Sequence, residues 1–184
     1  MGLTHTSTGA GAADAGLIID RRSPEDRVIA LAGNPNVGKS TVFNALTNLR
    51  QHTGNWPGKT VTNAQGRHTH RGRDYILVDL PGTYSLMAHS AEEEVARDFL
   101  CFGGADGAVV VCDATCLERN LNLVLQIMEA GRPVLLCVNL LDEAEKRQIT
   151  IDLPQLEQLL GIPVVGMAAR SGTGLPEFQQ RLFD

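Results

Sequence analysis

The chain has 184 residues, enough for one domain with a proper core and too few for two comfortable ones, and its formal net charge is −5, from 16 basic and 21 acidic side chains. It has no lysine- or arginine-rich block, so nucleic acid is not expected as a partner: neutralising phosphates needs clustered positive charge. No apolar run is long enough to cross a bilayer, and the first residues lack the basic, apolar, small-residue order of a secretion signal, so a soluble cytoplasmic domain is expected.

Residues 1 to about 25 are rich in Gly, Ala, Ser and Thr, with no apolar periodicity beyond Leu17-Ile18-Ile19. They read as a mobile tail ahead of a domain spanning 26–184. The domain opens on Val28-Ile29-Ala30-Leu31, a buried strand, and runs into Gly33-Asn34-Pro35-Asn36-Val37-Gly38-Lys39-Ser40. That is Walker A spacing, in which glycines let successive backbone N–H groups (Gly33, Asn34, Asn36, Val37 and Gly38) turn inward around phosphate oxygens. Lys39 reaches for the β- and γ-phosphates and Ser40 is placed for magnesium. The helix that begins Thr41-Val42-Phe43 aims its positive end at the nucleotide.

Gly and Pro punctuation marks 50–61 as a loop, and it holds the chain's only tryptophan, Trp56. Two readings stand: Trp56 packs over the sheet edge, or the loop is a nucleotide-responsive switch with Thr60 as a second magnesium ligand. Val61–Thr69 and Arg73–Val78 alternate as a hairpin joined near Arg71-Gly72. The hairpin leads into Asp79-Leu80-Pro81-Gly82-Thr83. Asp79, at a strand end beside the phosphate loop, completes the magnesium shell, and the Gly82 N–H can approach a γ-phosphate.

A helix from about Ser90 carries Glu92-Glu93-Glu94 in its first turn, which suits the helix dipole. Ala105–Cys112 is apolar enough for a central parallel strand. Leu117, Leu121, Val124, Leu125 and Met128 then recur at helical spacing and read as core. Val134–Val138 is a further buried strand ending in Asn139-Leu140-Leu141-Asp142. Asp142 can accept two N–H bonds from guanine, and no adenine edge offers that pair. After the strand 162–167, the loop Ala168-Ala169-Arg170 can present backbone N–H groups to guanine O6, and a helix begins near Pro176. The four cysteines sit mostly in apolar runs and read as buried thiols, since nothing completes a tetrahedral site with Cys112 and Cys116.

In this order the elements resemble the Ras-like GTPase domain, and most closely the N-terminal G domain of the FeoB ferrous iron transporters. The closer likeness rests on 33–40, on Thr53-Gly54-Asn55-Trp56-Pro57-Gly58-Lys59-Thr60-Val61, on 79–86, on 112–121 and on 139–144. The resemblance implies an α/β fold: a mostly parallel six-stranded sheet with one antiparallel edge strand and helices on both faces. It implies GTP and GDP as ligands and magnesium on Ser40 and Thr60 with Asp79 behind. It also implies potassium held by Asn36 and closed over by the Gly54–Trp56 backbone, standing in for an arginine finger. Lys39, Thr60, Gly82 and Asn36 are then the catalytic group.

Three positions depart from the wider Ras-like pattern. Thr83 replaces a water-orienting glutamine, so slow, potassium-stimulated hydrolysis is expected; Leu140 replaces a lysine, and Ala168 a serine. The resemblance further implies a membrane permease partner, in the same polypeptide or a separate chain, and tethering to the cytoplasmic side of the inner membrane. The chain is then either a fragment or a protein that kept only the G domain. The favoured function is a GTPase regulating ferrous iron uptake. A nucleotide-dependent adaptor with negligible hydrolysis is the alternative, and Asn139 and Asp142 disfavour an adenine-specific ATPase.

Overall fold

The computed structural model describes residues 17–49 and 51–183. Strand β1 (Arg27–Gly33) is buried along all but its first residue, because its Val, Ile, Leu and Ala side chains meet helices on both faces. It lies mid-sheet between β4 (Arg73–Asp79) and β5 (Gly107–Asp113), parallel to both, with Leu31 opposite Asp79 and Gly33 opposite Val111. β6 (Val134–Asn139) and β7 (Val164–Gly166) extend the parallel side. On the other side β3 (Thr62–His70) runs antiparallel to β4, and β2 (Gln51–Asn55) antiparallel to β3. The order is β2-β3-β4-β1-β5-β6-β7.

This sheet has seven strands rather than six. The extra one is β2, in the stretch expected to be a loop. All five of its residues are exposed and polar or glycine, so no alternation announces it, and pairing from Gln51↔Gly66 to Asn55↔Thr62 makes it a strand. The antiparallel strand expected at the edge, β3, is therefore second from it. The β3–β4 turn is at Arg71-Gly72, both with positive φ (50° and 79°), as a two-residue hairpin requires.

Helix α1 (Lys39–Thr47) and α6 (Leu175–Phe183) cover one face through Phe43, Leu46 and Phe178. Helices α2 (Ala91–Phe102) and α3 (Leu117–Glu129) cover the other through Phe99, Leu123 and Ile127. Each such side chain contributes roughly 1.5–3 kcal/mol on burial. Two short helices escaped the sequence reading: α4 (Leu141–Lys146) and α5 (Leu153–Leu160). Among the described residues no helix is long and apolar enough to cross a membrane.

Of the expected tail, 1–16 lies outside the described residues. Leu17 and Ile19 pack half-buried on the α2/α3 face, and the Gln65 amide donates to the Ile18 carbonyl at 3.2 Å. The Arg67 guanidinium joins the Asp20 carbonyl at 2.5 Å, Asp26 at 3.1 Å and Asp74 at 2.9 Å. Burial pushes the Asp26 carboxyl up, but the Arg22 N–H, Arg67 and the Ser23 N–H together hold it below its ordinary value.

Candidate functional site

The chemistry-bearing residues gather where β1, β4 and β6 end, at the carboxyl edge of the sheet. Gly33 ends β1 against β5 so closely that a Cβ there would lie 2.6 Å from the Val111 carbonyl oxygen. Asn36 (φ 64°) and Gly38 (φ 82°) then turn the loop in the left-handed region. At Gly38 a side chain is excluded twice, by that φ and by the Asn139 amide, 2.4 Å from where the Cβ would stand. The first turn of α1 follows at once, the Val42 N–H donating to the Gly38 carbonyl at 3.1 Å.

Two cavities meet at Lys39 and Gly82. One, of about 350 Å3, is lined by Asn34, Asn36, Gly38, Lys39, Ser40 and Gly82 among others. The second, of about 570 Å3, reaches across Asp79 to Gly54 and Asn63 on the β2–β3 hairpin. Lys39 is ion-paired with Asp79. The segment after β4 is pinned to the phosphate loop by backbone: the Leu80 N–H donates to the Leu31 carbonyl at 2.9 Å and the Thr83 N–H to the Gly33 carbonyl at 3.1 Å. A Cβ on Gly82 would stand 3.1 Å from the Pro35 Cα. Thr83 is buried and lines neither cavity.

Asn139 is a clamp. Its amide donates to the Val37 carbonyl at 3.0 Å and its Oδ1 accepts the Ala169 N–H at 3.0 Å, so it ties the phosphate loop to the last loop. Leu140 is left-handed (φ 64°) and starts α4, which carries the half-buried Asp142 in its first turn. The Ala168 N–H bonds the Thr173 carbonyl at 3.0 Å. Of the three backbone donors expected to face a guanine, two are thus engaged within the protein, and Arg170, whose side chain is exposed, keeps its N–H without a bond among the described residues.

The stretch from Trp56 to Thr60 is held apart from this constellation. Trp56 is buried against Phe99 edge-to-face, ring centroids 5.4 Å apart, so the packing reading of this tryptophan is the observed one. The Trp56 N–H donates to the Val61 carbonyl at 2.8 Å, its own carbonyl accepts the Lys59 N–H at 3.0 Å, and Lys59 is paired with Glu94 of α2 at 2.5 Å. Thr60 is exposed and stands with Trp56 outside the linings of both cavities, whereas Gly54 lies in the wall of the larger one.

The donor set suits a phosphate with hard cations. At Gly33, Gly38 and Gly82 a Cβ would meet Val111, Asn139 and Pro35, so glycine is what lets the loop take this path, and the buried Asn34 Oδ1 has no hydrogen-bond donor among the described residues. Ser40, Asp79 and Asn36 offer oxygen ligands on the cavity walls. Sequence reasoning missed Asn63, a buried polar residue in the wall of the larger cavity. Its signal was its place two residues after Val61, on the inward alternation of β3. The cysteines lie elsewhere, and only Cys112 and Cys137 are the buried thiols expected, Cys101 being half-buried and Cys116, past the end of β5, exposed; burial, with lesser pushes from Cys116 and Asp113, raises the Cys112 thiol to about 12.

Residues 27–182 match the family model described as ferrous iron transport protein B. The Fe(2+) transporter FeoB of Salmonella typhimurium is 46% identical over 151 residues, which are 80% of this chain and 20% of that protein. That of Escherichia coli K12 is 44% identical over the same share of each. The chain therefore spans 20% of the length of these relatives. Among solved structures, the G domain of the T. maritima FeoB iron transporter superposes with a TM-score of 0.80 at 44% identity, covering 85% of this chain and 96% of that one. The FeoB G domain of Methanococcus jannaschii gives 0.76 at 43%, covering 86% and 96%. The cytosolic domain of the T. maritima protein in a GDP form gives 0.82 at 44%, covering 85% and 62%.

Proposed function

The chain belongs to the ferrous iron transport protein B family, and from that premise and the cleft we propose that it binds guanine nucleotide and hydrolyses GTP to GDP and phosphate. The observation that carries this reading is the clamp at Asn139, which joins a glycine cradle for phosphates to the loop and helix that would read a base. The relative solved in a GDP form supports the same ligand. In the longer relatives the domain is one part of an Fe(2+) transporter, so we place its role in regulating ferrous iron uptake through a membrane permease.

Phosphates entering the cradle take Lys39 from Asp79, and its ammonium then neutralises the β- and γ-oxygens. Backbone N–H groups of Asn34, of Asn36 to Ser40 and of Gly82 complete an electropositive nest. Ser40, Asp79 and Thr60 would hold magnesium, and Asn36 with the Gly54 and Trp56 carbonyls would hold potassium; both ions supply positive charge to a phosphoryl group in transfer. Thr60 and Trp56 reach the site only if the first switch leaves its present pairing with Val61, Lys59 and α2. Asp142 selects guanine by accepting two N–H bonds from the base. With Thr83 buried and lacking an amide, the attacking water is positioned by backbone, so hydrolysis is slow.

Phosphate release from GTP with magnesium, in competition with ATP, tests the reading. Equal affinity for ATP and GTP would refute it. The buried Thr83 also favours a second reading, an adaptor that binds GTP and recruits a partner without turning it over. Tight GTP binding with no phosphate release over many hours would select that one.

A further inference from the structure

We propose that Gln126 is a positioning residue for hydrolysis, resting on the GTPase reading above: from α3 it fixes where the Gly82-Thr83 backbone lies. Its side chain is half-buried, and its Oε1 accepts the Leu86 N–H at 2.6 Å and the Ser85 hydroxyl at 3.3 Å. Ser85 Oγ in turn accepts the Met87 N–H at 3.0 Å. Arg119, about two turns earlier on the same helix, lies over the Tyr84 ring at 4.9 Å. α3 thus grips three consecutive residues, Tyr84 to Leu86, and Ser85 passes the hold on to Met87.

The other end of this segment is held by the phosphate loop, through the Thr83 N–H on the Gly33 carbonyl and the seating of Gly82 against Pro35. Only Tyr84 and Ser85 separate the two anchors. Thr83 and Leu86 are three residue steps apart, about 10 Å of chain when extended, so a shift of Leu86 has only this short tether through which to pass to Thr83 and Gly82. Among the described residues no strand or helix backbone accepts the N–H groups of Tyr84 to Met87. Gln126 supplies an acceptor from a side chain.

The consequence for chemistry follows from Thr83. A switch with a glutamine there can correct small backbone errors through its flexible amide; this one presents only main chain to the γ-phosphate and the attacking water. Backbone placement is then the whole of the water-orienting device, and Gln126 holds it from a helix that lines neither cavity. What the contact needs is an acceptor oxygen. Glutamate keeps that oxygen at the same reach, whereas leucine keeps the bulk and removes it, and alanine removes both.

The test compares Gln126→Leu, Gln126→Ala and Gln126→Glu by kcat, KM for GTP, GDP affinity, and hydrogen exchange at the Leu86 amide in nucleotide-free protein. We expect the Leu and Ala variants to lose Leu86 protection and roughly tenfold or more in kcat, with KM and GDP affinity changed less than about twofold. Gln126→Glu should stay within about twofold of the unmodified protein on every readout. Unchanged kcat in the Leu and Ala variants would overturn the proposal. So would a Glu variant as impaired as the Leu variant, or GDP affinity lost in step with kcat. If the unmodified protein releases no phosphate, the hydrolysis reading fails by itself, and unaltered exchange at Leu86 in the Leu variant still disproves the anchor.

Discussion

The Lys39 ammonium and the Asp79 carboxylate face one another where the two cavities meet, with side chains 10% and 18% exposed. The group that would neutralise phosphate and the group that would support magnesium thus neutralise each other. Nucleotide binding becomes an exchange of partners, and two substitutions separate its halves. Lys39→Ala is expected to weaken GDP by about 100-fold with or without magnesium, since it removes a charge-assisted contact to a polyanion. Asp79→Asn should bind GDP in the presence of a chelator at least as well as the unmodified protein, because Lys39 is released, while magnesium strengthens it far less. Titration calorimetry in both conditions checks this, and a chelator affinity reduced by Asp79→Asn would contradict it.

Guanine selection is assigned to Asp142, half-buried in the first turn of α4. Asp142→Asn replaces an acceptor pair by one acceptor and one donor, so it should cost GTP affinity about 2–3 kcal/mol and leave ATP affinity almost unchanged. The ratio of the two constants in a fluorescent-nucleotide displacement assay measures this, and a loss shared equally by ATP and GTP would show that Asp142 shapes the loop without reading the base.

The parts legible in the sequence are those whose chemistry is local. Glycines at positions of positive φ or close approach and the lysine after them sit together in 33–39, and Asp79, 40 residues on, is legible from its place at a strand end. What was hidden is long-range. β2 is made by its ladder with β3 alone, with no side-chain pattern of its own. Asn139 was legible as a base-reading motif residue, yet its amide is spent on Val37 and Ala169, bonds spanning 102 and 30 residues. Gln126 lies on α3 beside, not in, the apolar stripe Leu117, Leu121, Val124, Leu125 and Met128, of which Leu125 is exposed and not core; only the fold shows which segment the Gln126 oxygen captures. The contacts of 17–26 with Gln65 and Arg67 are of the same kind: a polar strand face becomes a binding surface once something lies across it.

The thiols give a pH dependence. Cys112 moves from an ordinary value of 9.0 to about 12 in the folded chain, chiefly through burial, so the folded state holds its proton more tightly than the unfolded state does. The stabilisation is fully present below pH 9.0 and is lost as pH rises toward 12. Cys112→Ala should therefore flatten the fall of stability across that interval in urea titrations at successive pH values, while GDP affinity and metal content at pH 7.5 stay as they were. A slope unchanged by the substitution would show that other groups govern the alkaline limb.

The last expectation concerns how charge is stabilised without a glutamine or an arginine finger. Asn36 stands exposed in the phosphate loop with φ 64°, lining the smaller cavity beside Lys39 and Gly82, and its amide oxygen is a ligand type that monovalent cations accept. Opposite it, Gly54 is paired with Asn63 in the β2–β3 ladder and the Trp56 carbonyl takes the Lys59 N–H, so carbonyls from the first switch join such a site only after that hairpin rearranges. Potassium should therefore speed turnover without tightening GDP, because the complete cage belongs to the GTP-loaded form. We expect faster phosphate release in potassium than in sodium at equal ionic strength. The informative variant is Asn36→Gly: glycine adopts the left-handed φ freely, whereas Asn36→Ala adds about 1–2 kcal/mol of backbone strain to the loss of the oxygen. Both should abolish the difference between the two salts, and Asn36→Gly should keep GDP affinity within about threefold of the unmodified protein. An Asn36→Gly variant still accelerated by potassium would move the cation site elsewhere, and equal rates in both salts for the unmodified protein would remove it from the mechanism.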